Sequence, residues 1–229
     1  MTTYYILEDP ASRTLEAHEA EDVPAKLEWW QCPLNRDHKG WRRLSDLALE
    51  VHHRKHDETL IAYGMKRVIH TSLAEQFEKH GLNGYRLRPA TVRFRDGILS
   101  KEYLQLIVTG WAGVARPESG IRLIEGCTAC PHKRYSPLED AAQLIDWSQW
   151  SGEEFFVVWP VPSCLVTERV ADVLRELKVR SYSIKSPQAL ENRDMPPSMR
   201  RRLGFVAGRL SALMPEDVAK KYGAPLGLE

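Results

Sequence analysis

Cysteine and histidine side chains in two loops have the types and spacing of a metal site. Cys127 and Cys130 form a CxxC pair in EGCTACPH, and two thiolates at this spacing can bind one tetrahedral zinc ion. Cys32 lies in WQCPLNRDH, a second loop flanked by proline and glycine, and is the best third ligand. His38 or His132 would be the fourth. We prefer His38, because His132 follows Cys130 by only two residues and is tightly placed for chelation with it. The sequence therefore predicts a structural zinc site at Cys32, His38, Cys127 and Cys130.

An alternative for these cysteines involves no metal. A free cysteine packs like a small hydrophobic residue, so the thiols could be reduced and buried. Both interpretations stay open at this point. If zinc is bound, its role is structural, because nothing in the sequence resembles the open, three-ligand arrangement of catalytic zinc.

Other residues that could support catalysis lack their partners. His52 and His56 in VHHRKHDE have the spacing of two ligands on one helical face, but the glutamate that a zinc protease needs after the first histidine is missing. A solvated, basic helix end explains them better. Cys164 in VPSCLVT has no nearby basic residue to activate it and fits a core position. The sequence contains no GxSxG, P-loop or GxGxxG motif, and we predict that the protein is not an enzyme.

The stretch from Leu138 to Trp159 combines acidic and aromatic residues. It contains five carboxylates and no lysine or arginine. Aromatic anchors among charged residues are typical of protein interfaces, so the stretch predicts a docking face for a basic partner. An ordinary solvated helix with core tryptophans is the alternative. The predicted docking residues are Asp140, Asp146, Trp147, Trp150, Glu153 and Glu154.

A run of three arginines, Arg200 to Arg202, could contact phosphates. However, no aromatic residues for base stacking are interleaved with it, and a charge run is usually a solvated helix face. The formal net charge of +1 also gives no indication of a nucleic-acid-coating protein. Nucleic acid is therefore not the expected partner.

Hydrophobic patterns predict an α+β fold with mixed sheets and packed helices. The segment TSLAEQFEKHG is a helix with a capping box formed by Ser72 and Glu75, and Thr167 caps a second helix that ends at Lys178. In the first strand, TTYYILED, residues 5 and 7 share one face and residues 4 and 6 the other. Further strands are predicted at TLIAY, GYRLRP, EYLQLIVTGW, EEFFVVWP and RSYSIKSP.

Two stretches of the chain match in hydropathy at a fixed offset of 97 residues, so that Leu73 falls on Val170 and Tyr85 on Tyr182. Duplication of a strand–loop–helix–strand unit would explain this match. Two unrelated units with the same periodicity would give it by chance. We expect one domain, residues 1–229, which under the first explanation has two related halves, about 1–135 and 136–229.

The C-terminal region is predicted to be helical. A helix from about Pro197 to Leu213 would bury Leu203, Val206 and Leu210, and a last short helix would follow Pro215. The rest of the composition is that of a globular protein, with 43% hydrophobic and 28% charged residues among 229.

The sequence gives no indication of a membrane protein. No segment has the roughly 18 apolar residues needed to cross a membrane, and the first ten residues do not resemble a signal peptide. We therefore expect a cytoplasmic protein with reduced cysteines and no membrane partner.

The chain resembles the myxobacterial double-CxxCG family over nearly its full length. The resemblance lies in two cysteine loops about a hundred residues apart, the first preceded by Trp29-Trp30, and in the late segment CLVTERVADVLRELKVRSYSI. Members of that family resemble immunity proteins encoded beside polymorphic toxins. The resemblance implies that this protein binds and neutralises a cognate antibacterial toxin, a nuclease for example, encoded by a neighbouring gene, in kin discrimination. A zinc-stabilised module that binds nucleic acid or has a regulatory role is the alternative function.

The chain departs from the motifs of that family at two positions. Asn35 stands where the first CxxC would have its second thiolate, and an amide is a poor zinc ligand. Pro131 takes the glycine position after Cys130. Zinc binding then depends on His38 as the replacement for the missing thiolate.

Overall fold

The computed structural model describes residues 3–8, 17–52, 60–63, 66–179, 182–191 and 204–229. The fold is α+β, as the sequence predicts, and these ranges contain sixteen strands and three α-helices. None of these helices is long and apolar enough to cross a membrane. The strands are β1 Tyr4–Glu8, β2 Ala17–Glu19, β3 Leu27–Gln31, β4 Lys39–Arg43, β5 Leu47–Val51, β6 Leu60–Tyr63, β7 Lys66–His70, β8 Tyr85–Arg93, β9 Leu99–Val108, β10 Gly110–Val114, β11 Leu123–Gly126, β12 Lys133–Tyr135, β13 Phe155–Trp159, β14 Val161–Thr167, β15 Ser183–Lys185 and β16 Val206–Ala207. The helices are α1 Thr71–Lys79, α2 Glu168–Glu176 and α3 Glu216–Gly223.

Two large sheets and two small ones contain these strands. The first large sheet has the order β10-β13-β14-β1-β15, and the second has the order β2-β5-β8-β9-β7-β6. Both are mixed, because β10 pairs with β13 and β5 with β8 in parallel, whereas their other pairs are antiparallel. Strands β11, β12 and β16 form a small sheet, and β3 and β4 form a separate hairpin.

Each large sheet contains the same unit, an antiparallel strand pair followed by a helix and a strand. The unit is β6–β7–α1–β8 in the second sheet and β13–β14–α2–β15 in the first. Both helices have nine residues, and their first residues, Thr71 and Glu168, are 97 positions apart. In each sheet one further strand lies between the strand before the helix and the strand after it. That strand is β9 in one sheet and β1 in the other.

The registers of the two units correspond residue by residue. His70 of β7 is opposite Tyr103 of β9, and its counterpart Thr167 of β14 is opposite Tyr4 of β1. The same correspondence continues along these strands and on the other side of the central strand. One unit therefore completes its sheet with the next strand in the chain, and the other unit uses the N-terminal strand. Duplication as the origin of this match stays a prediction.

One core is shared by the two units. It contains side chains from both helices and both large sheets, among them Phe77 of α1 and Leu174 of α2. The opposite face of each large sheet has a core of its own, around Val68 in one and Phe156 in the other. Because the central core includes residues of both units, the two sheets are held on either side of the same apolar layer.

Strand β1 shows how alternation assigns side chains to these cores. Tyr5 and Leu7 contact the central core, while Tyr4 and Ile6 belong to the core on the other face of the sheet. This confirms the prediction for the first strand and follows from the two-residue period of an extended chain.

The N-termini of the first two helices differ from prediction in their caps. The Ser72–Glu75 capping box is wrong, because β7 runs directly into α1 and places Ser72 within the first turn. The N-cap is His70, whose Nδ1 accepts a hydrogen bond of 3.2 Å from the Ser72 amide. Thr167 is the N-cap residue of α2, as predicted, but its side chain makes no capping bond.

The predicted helix from Pro197 to Leu213 is wrong over its described part. Val206 lies in β16, which pairs with β12, and is 64% exposed instead of buried. Leu210 is buried, as expected, but in a short 3-10 turn. Residues 197–203, which include Leu203, lie outside the described residues. The last helix, α3, follows Pro215 as predicted.

A segment interpreted as a loop is largely strand. EWWQCPLNRDHKGW is a hairpin whose loop spans only residues 32–38. Gly40, a turn signal in the sequence, is paired with Trp30 across the hairpin. A Cβ atom on Gly40 would lie 2.4 Å from the Trp30 ring, so glycine is needed here for close packing and not for a turn.

Candidate metal centre

Two hairpin loops carry the four predicted metal ligands. One loop connects β3 to β4 and contains Cys32 and His38, and the other connects β11 to β12 and contains Cys127 and Cys130. Each loop is closed by a backbone hydrogen bond of 2.9 Å, from Cys32 N–H to the His38 carbonyl and from Cys127 N–H to the His132 carbonyl. The chain therefore builds the same kind of loop twice and brings the two loops face to face.

The four ligand atoms lie within 4.8 Å of one another. Cys32 Sγ is 3.7 Å from Cys127 Sγ, and Cys130 Sγ is 3.7 Å from His38 Nδ1. A tetrahedral zinc ion, with Zn–S of about 2.3 Å and Zn–N of about 2.1 Å, separates two sulfurs by about 3.8 Å and a sulfur from a nitrogen by about 3.6 Å. These two distances match the separations that such an ion requires.

Backbone amides in both loops point at the thiol sulfurs. The Leu34 amide lies 3.4 Å from Cys32 Sγ, and the Ala129 amide lies 3.5 Å from Cys127 Sγ. Burial raises the pKa of Cys32, but the amides of Leu34 and Asn35 outweigh it, and the pKa falls below its ordinary value. The Ala129 amide lowers the pKa of Cys127 in the same way. Because the thiolate is the metal-binding form, the loops favour that form of both side chains.

Cys130 and the two histidines complete the cluster. Burial raises the pKa of the Cys130 thiol. The rings of His38 and His132 are stacked, with centroids 3.7 Å apart and planes 10° apart. Burial, followed by the proximity of His38, lowers the pKa of His132. His38 belongs to the ligand group, and the His132 ring packs face to face against it.

Asn35, at the position of the missing thiolate, organises the first loop. Its Oδ1 accepts a hydrogen bond of 2.9 Å from the Asp37 amide, and its Nδ2 lies 3.2 Å from His38 Nε2. Asn35 therefore shapes the backbone of the loop beside His38 and supplies no ligand atom itself.

The chemistry of the donor set fits a structural zinc ion. Three thiols and one imidazole are a frequent structural zinc combination, and four protein ligands complete a tetrahedron. Cys32 is buried and the other three ligands are half-buried. No family model matches the chain, and no curated protein matches it either. The interpretation of this site therefore rests on its geometry.

The predicted docking residues lie in the segment that covers the core behind the first large sheet. Asp140 caps a 3-10 turn by accepting a hydrogen bond of 2.9 Å from the Ala142 amide. Asp146 accepts hydrogen bonds from the amide and hydroxyl of Ser148 and from the side-chain amide of Gln149. The side-chain bonds from Ser148 and Gln149 are the main causes that lower the pKa of Asp146. Both carboxylates therefore shape the local backbone.

Trp147 and Trp150 are partly buried and pack on the same core. Their ring centroids are 5.3 Å apart in an edge-to-face arrangement, and both rings contact Phe156 at 6.3 and 6.1 Å. The indole N–H of Trp150 donates a hydrogen bond of 3.1 Å to the Glu153 carbonyl. These contacts make the two tryptophans part of the scaffold of the segment.

The last two predicted docking residues differ in burial. Glu153 is half-buried and accepts a hydrogen bond of 2.6 Å from the Ser151 hydroxyl. Glu154 is buried, accepts a hydrogen bond of 3.0 Å from the Asn83 amide, and pairs with Arg169 at 2.7 Å. A docking role for this segment stays a prediction.

The remaining candidates have simpler roles. Cys164 is buried in the central core, as predicted, and burial raises its pKa. His52 directly follows strand β5, so the helix end expected there is wrong. His53, His56 and residues 200–202 lie outside the described residues.

A cleft that the sequence does not predict lies beside the metal centre, and the β3–β4 hairpin forms part of its lining. The available signal was the tryptophan content of LEWWQ and KGWRR, because aromatic residues are enriched in strands. Proline, asparagine, aspartate and glycine between and within these stretches concealed it, because they indicate a loop.

Proposed function

We propose that Cys32, His38, Cys127 and Cys130 bind a structural zinc ion that clamps the β3–β4 hairpin to the β11–β12 hairpin. The support is the convergence of four donor atoms within 4.8 Å of one another, with separations of 3.7 Å for Cys32–Cys127 and for Cys130–His38. In the described part of the chain β3 and β4 pair only with each other. An ion at the tip of this hairpin would therefore tie it to the rest of the fold, with no part in a reaction.

On this scaffold we infer the function of an immunity protein. It would bind a cognate antibacterial toxin stoichiometrically, in the cytoplasm of the producing cell, and block its action. The observation that carries this inference is the closed four-ligand centre, which suits a protein that works through a rigid surface. The resemblance to the double-CxxCG family supports the same function.

Metal analysis of the purified protein tests the first part. We expect about one zinc ion per chain after purification under reducing conditions, and a loss of zinc in Cys127→Ala and Cys130→Ala. Cys164→Ala is the matched control, because Cys164 lies in the core outside the ligand group, and it should keep the metal. Metal-free wild-type protein that also fails to take up added zinc would overturn the assignment.

Co-expression with the product of the neighbouring gene tests the second part. We expect the chain to restore the growth of cells that express this toxin. It should also form an equimolar complex with an inactivated form of the toxin. Absence of both protection and complex formation would overturn the immunity function and would leave the zinc assignment unaffected.

A further inference from the structure

A cleft of about 1260 Å³ lies between the β3–β4 hairpin and the two large sheets. Strands β7, β8 and β9 of one sheet and β13 and β14 of the other contribute to its lining, together with residues 208, 209 and 211–216. His38, Cys130 and His132 also line it, so the metal centre forms part of its wall. The volume exceeds the roughly 300–1,000 Å³ of ordinary small-molecule pockets, which points to a larger ligand.

The side chains that the sheets contribute to the cleft are mainly apolar. Leu106 and Val108 of β9, Val157 of β13 and Cys164 of β14 are buried, and Met214 from the C-terminal segment joins them. These five residues define the floor of the cleft. These side chains are at most 7% exposed, so the apolar area that a ligand can cover lies mainly on the exposed tryptophans of the hairpin.

The charged residues around the cleft are mainly basic. Several are neutralised within the protein. Glu19 pairs with both Arg43 and Lys66. Arg42 pairs with Glu28 and Glu216, and Arg88 pairs with Asp46. The basic residues still outnumber the acidic ones, so the cleft favours an anionic ligand. The lining contains Lys39, Arg42, Arg43, Lys66, Arg67, Arg88 and Arg209 against Glu19, Asp37 and Glu216.

Two cations at the cleft are positioned to meet such a ligand. Lys39 and Arg209 are exposed, and in the part of the chain that the structure describes neither pairs with a carboxylate. The Arg209 guanidinium lies over the Trp30 ring, 5.4 Å from its centroid. Charge-assisted hydrogen bonds from these two side chains would be gained on binding, with no internal ion pair to break.

Exposed tryptophans of the hairpin provide apolar contact area at the same place. Trp29 and Trp41 face each other across β3 and β4, with centroids 6.4 Å apart, and are 62% and 40% exposed. Tryptophan is enriched among the residues that contribute most to protein interfaces. The hairpin therefore presents anchors, while the sheets present the floor.

A polypeptide fits these features better than a single-stranded nucleic acid. Bases would stack on free aromatic faces, but Lys66 lies over the Trp41 ring at 5.1 Å and Arg209 lies over the Trp30 ring. A peptide can place apolar side chains against the exposed Trp29 and carboxylates on Lys39 and Arg209.

We propose that this cleft is the docking site for an acidic polypeptide segment of the partner, in which Asp or Glu alternates with large apolar residues. The proposal deepens the proposed function and rests on it in one respect, because it assumes that the partner is a protein. It names the surface that is used and the chemistry of the segment that binds there.

Selection from a displayed library of random peptides tests the proposal, with the full-length protein as bait. We expect the enriched peptides to combine acidic and large apolar residues. A synthetic copy of the most enriched peptide should bind Lys39→Glu/Arg209→Glu at least about tenfold more weakly than the wild type. The matched control is Arg95→Glu/Lys101→Glu, which makes the same change of charge at exposed positions outside the cleft. It should change the affinity by less than about twofold.

Zinc content and circular dichroism of both double variants establish that they are folded. The proposal is overturned if no peptide is enriched, if the enriched peptides have no acidic excess, or if both double variants weaken binding equally. It is also overturned if oligothymidylate binds more tightly than the selected peptide. Growth rescue in the co-expression assay is a separate result. If the selected peptide binds in the cleft but the chain does not protect cells from the toxin, only the immunity function is contradicted. Full protection and toxin affinity in Lys39→Glu/Arg209→Glu contradict only the cleft proposal.

Discussion

The acidic segment, residues 138–159, and the cleft beside the metal centre both combine charge with tryptophan, but they use these residues differently. In the acidic segment Asp146 and Glu154 are hydrogen-bonded to neighbouring groups, and the tryptophans pack on Phe156. At the cleft Trp29 is mostly exposed, and Lys39 has no carboxylate partner among the described residues. The number of charged residues in a stretch of sequence therefore does not predict how many of them are available to bind a partner. Internal hydrogen bonds decide how much of it remains.

Loss of a metal ligand should destabilise the cleft and leave the acidic segment unchanged, which is the largest difference that we expect between the two regions. We expect Cys127→Ala to lower the free energy of unfolding by at least about 4 kcal/mol, the stabilisation that a ligand supplies at a thousand times its dissociation constant. Peptide binding at the cleft should be lost with it, because the β3–β4 hairpin loses its clamp. Urea unfolding and peptide titration measure the two effects.

Cys164→Ala should keep zinc and cost only about 1–2 kcal/mol of stability for the small cavity that it leaves. Unchanged stability and binding in Cys127→Ala would show that the metal centre does not support the wall of the cleft.

Tryptophans in the two regions should respond oppositely to truncation. Trp147→Ala should cost about 3 kcal/mol of stability, because its ring contacts Tyr4 and Phe156 in the core. Trp29→Ala should change stability by less than about 0.5 kcal/mol and weaken peptide binding severalfold. Thermal unfolding together with peptide titration separates the two. A stability loss of similar size in both variants would remove the distinction between scaffold and anchor.

Neighbouring glutamates in the acidic segment provide a finer comparison. Glu154→Gln should cost about 1–3 kcal/mol, because it removes the charge that pairs with Arg169 and weakens the acceptor for the Asn83 amide. Glu153→Gln changes a half-buried side chain bonded to Ser151 and should stay within about 0.5 kcal/mol. Urea denaturation of the two variants measures this difference. Equal costs would mean that Glu154 is no more structural than its neighbour.

The metal ligands could be predicted from the sequence because their chemistry is distinctive and local. A CxxC pair, one more cysteine and a histidine in proline-flanked loops leave few alternatives, and the structure brings all four together. The correspondence of the helices Thr71–Lys79 and Glu168–Glu176 was also visible, because helical periodicity is a local property. In both cases the signal lies within a few residues.

Non-local pairing could not be predicted in this way. Nothing in TTYYILED indicates that this strand is inserted into a unit more than 150 residues later, where Tyr4 pairs with Thr167. The cleft could not be predicted for the same reason, because Lys39, Leu106 and Arg209 line it together only in the folded chain. Likewise, the acidic segment could not reveal that Glu154 bonds to Asn83 and Arg169, which are distant in sequence.

Charge reversal at the two regions compares them directly as docking surfaces. Lys39→Glu/Arg209→Glu should weaken binding of the cognate toxin about tenfold, or about 1.4 kcal/mol. Asp146→Lys/Glu153→Lys, the test of the predicted acidic docking face, should weaken it by less than about threefold. The reason is that Asp146 already accepts three hydrogen bonds within its own loop, so little of its charge is left for a partner.

Titration with the inactivated toxin at two salt concentrations measures these effects. Both should shrink as salt increases, because exposed charges are screened. If the Asp146→Lys/Glu153→Lys variant is the weaker binder, the order of the two surfaces is reversed. The toxin would then present a basic face, and the internally bonded carboxylates would have to exchange their hydrogen bonds for the partner. We then expect the substitutions to change mainly the dissociation rate constant of the complex and to change the association rate constant less, because short-range hydrogen bonds act mainly on dissociation.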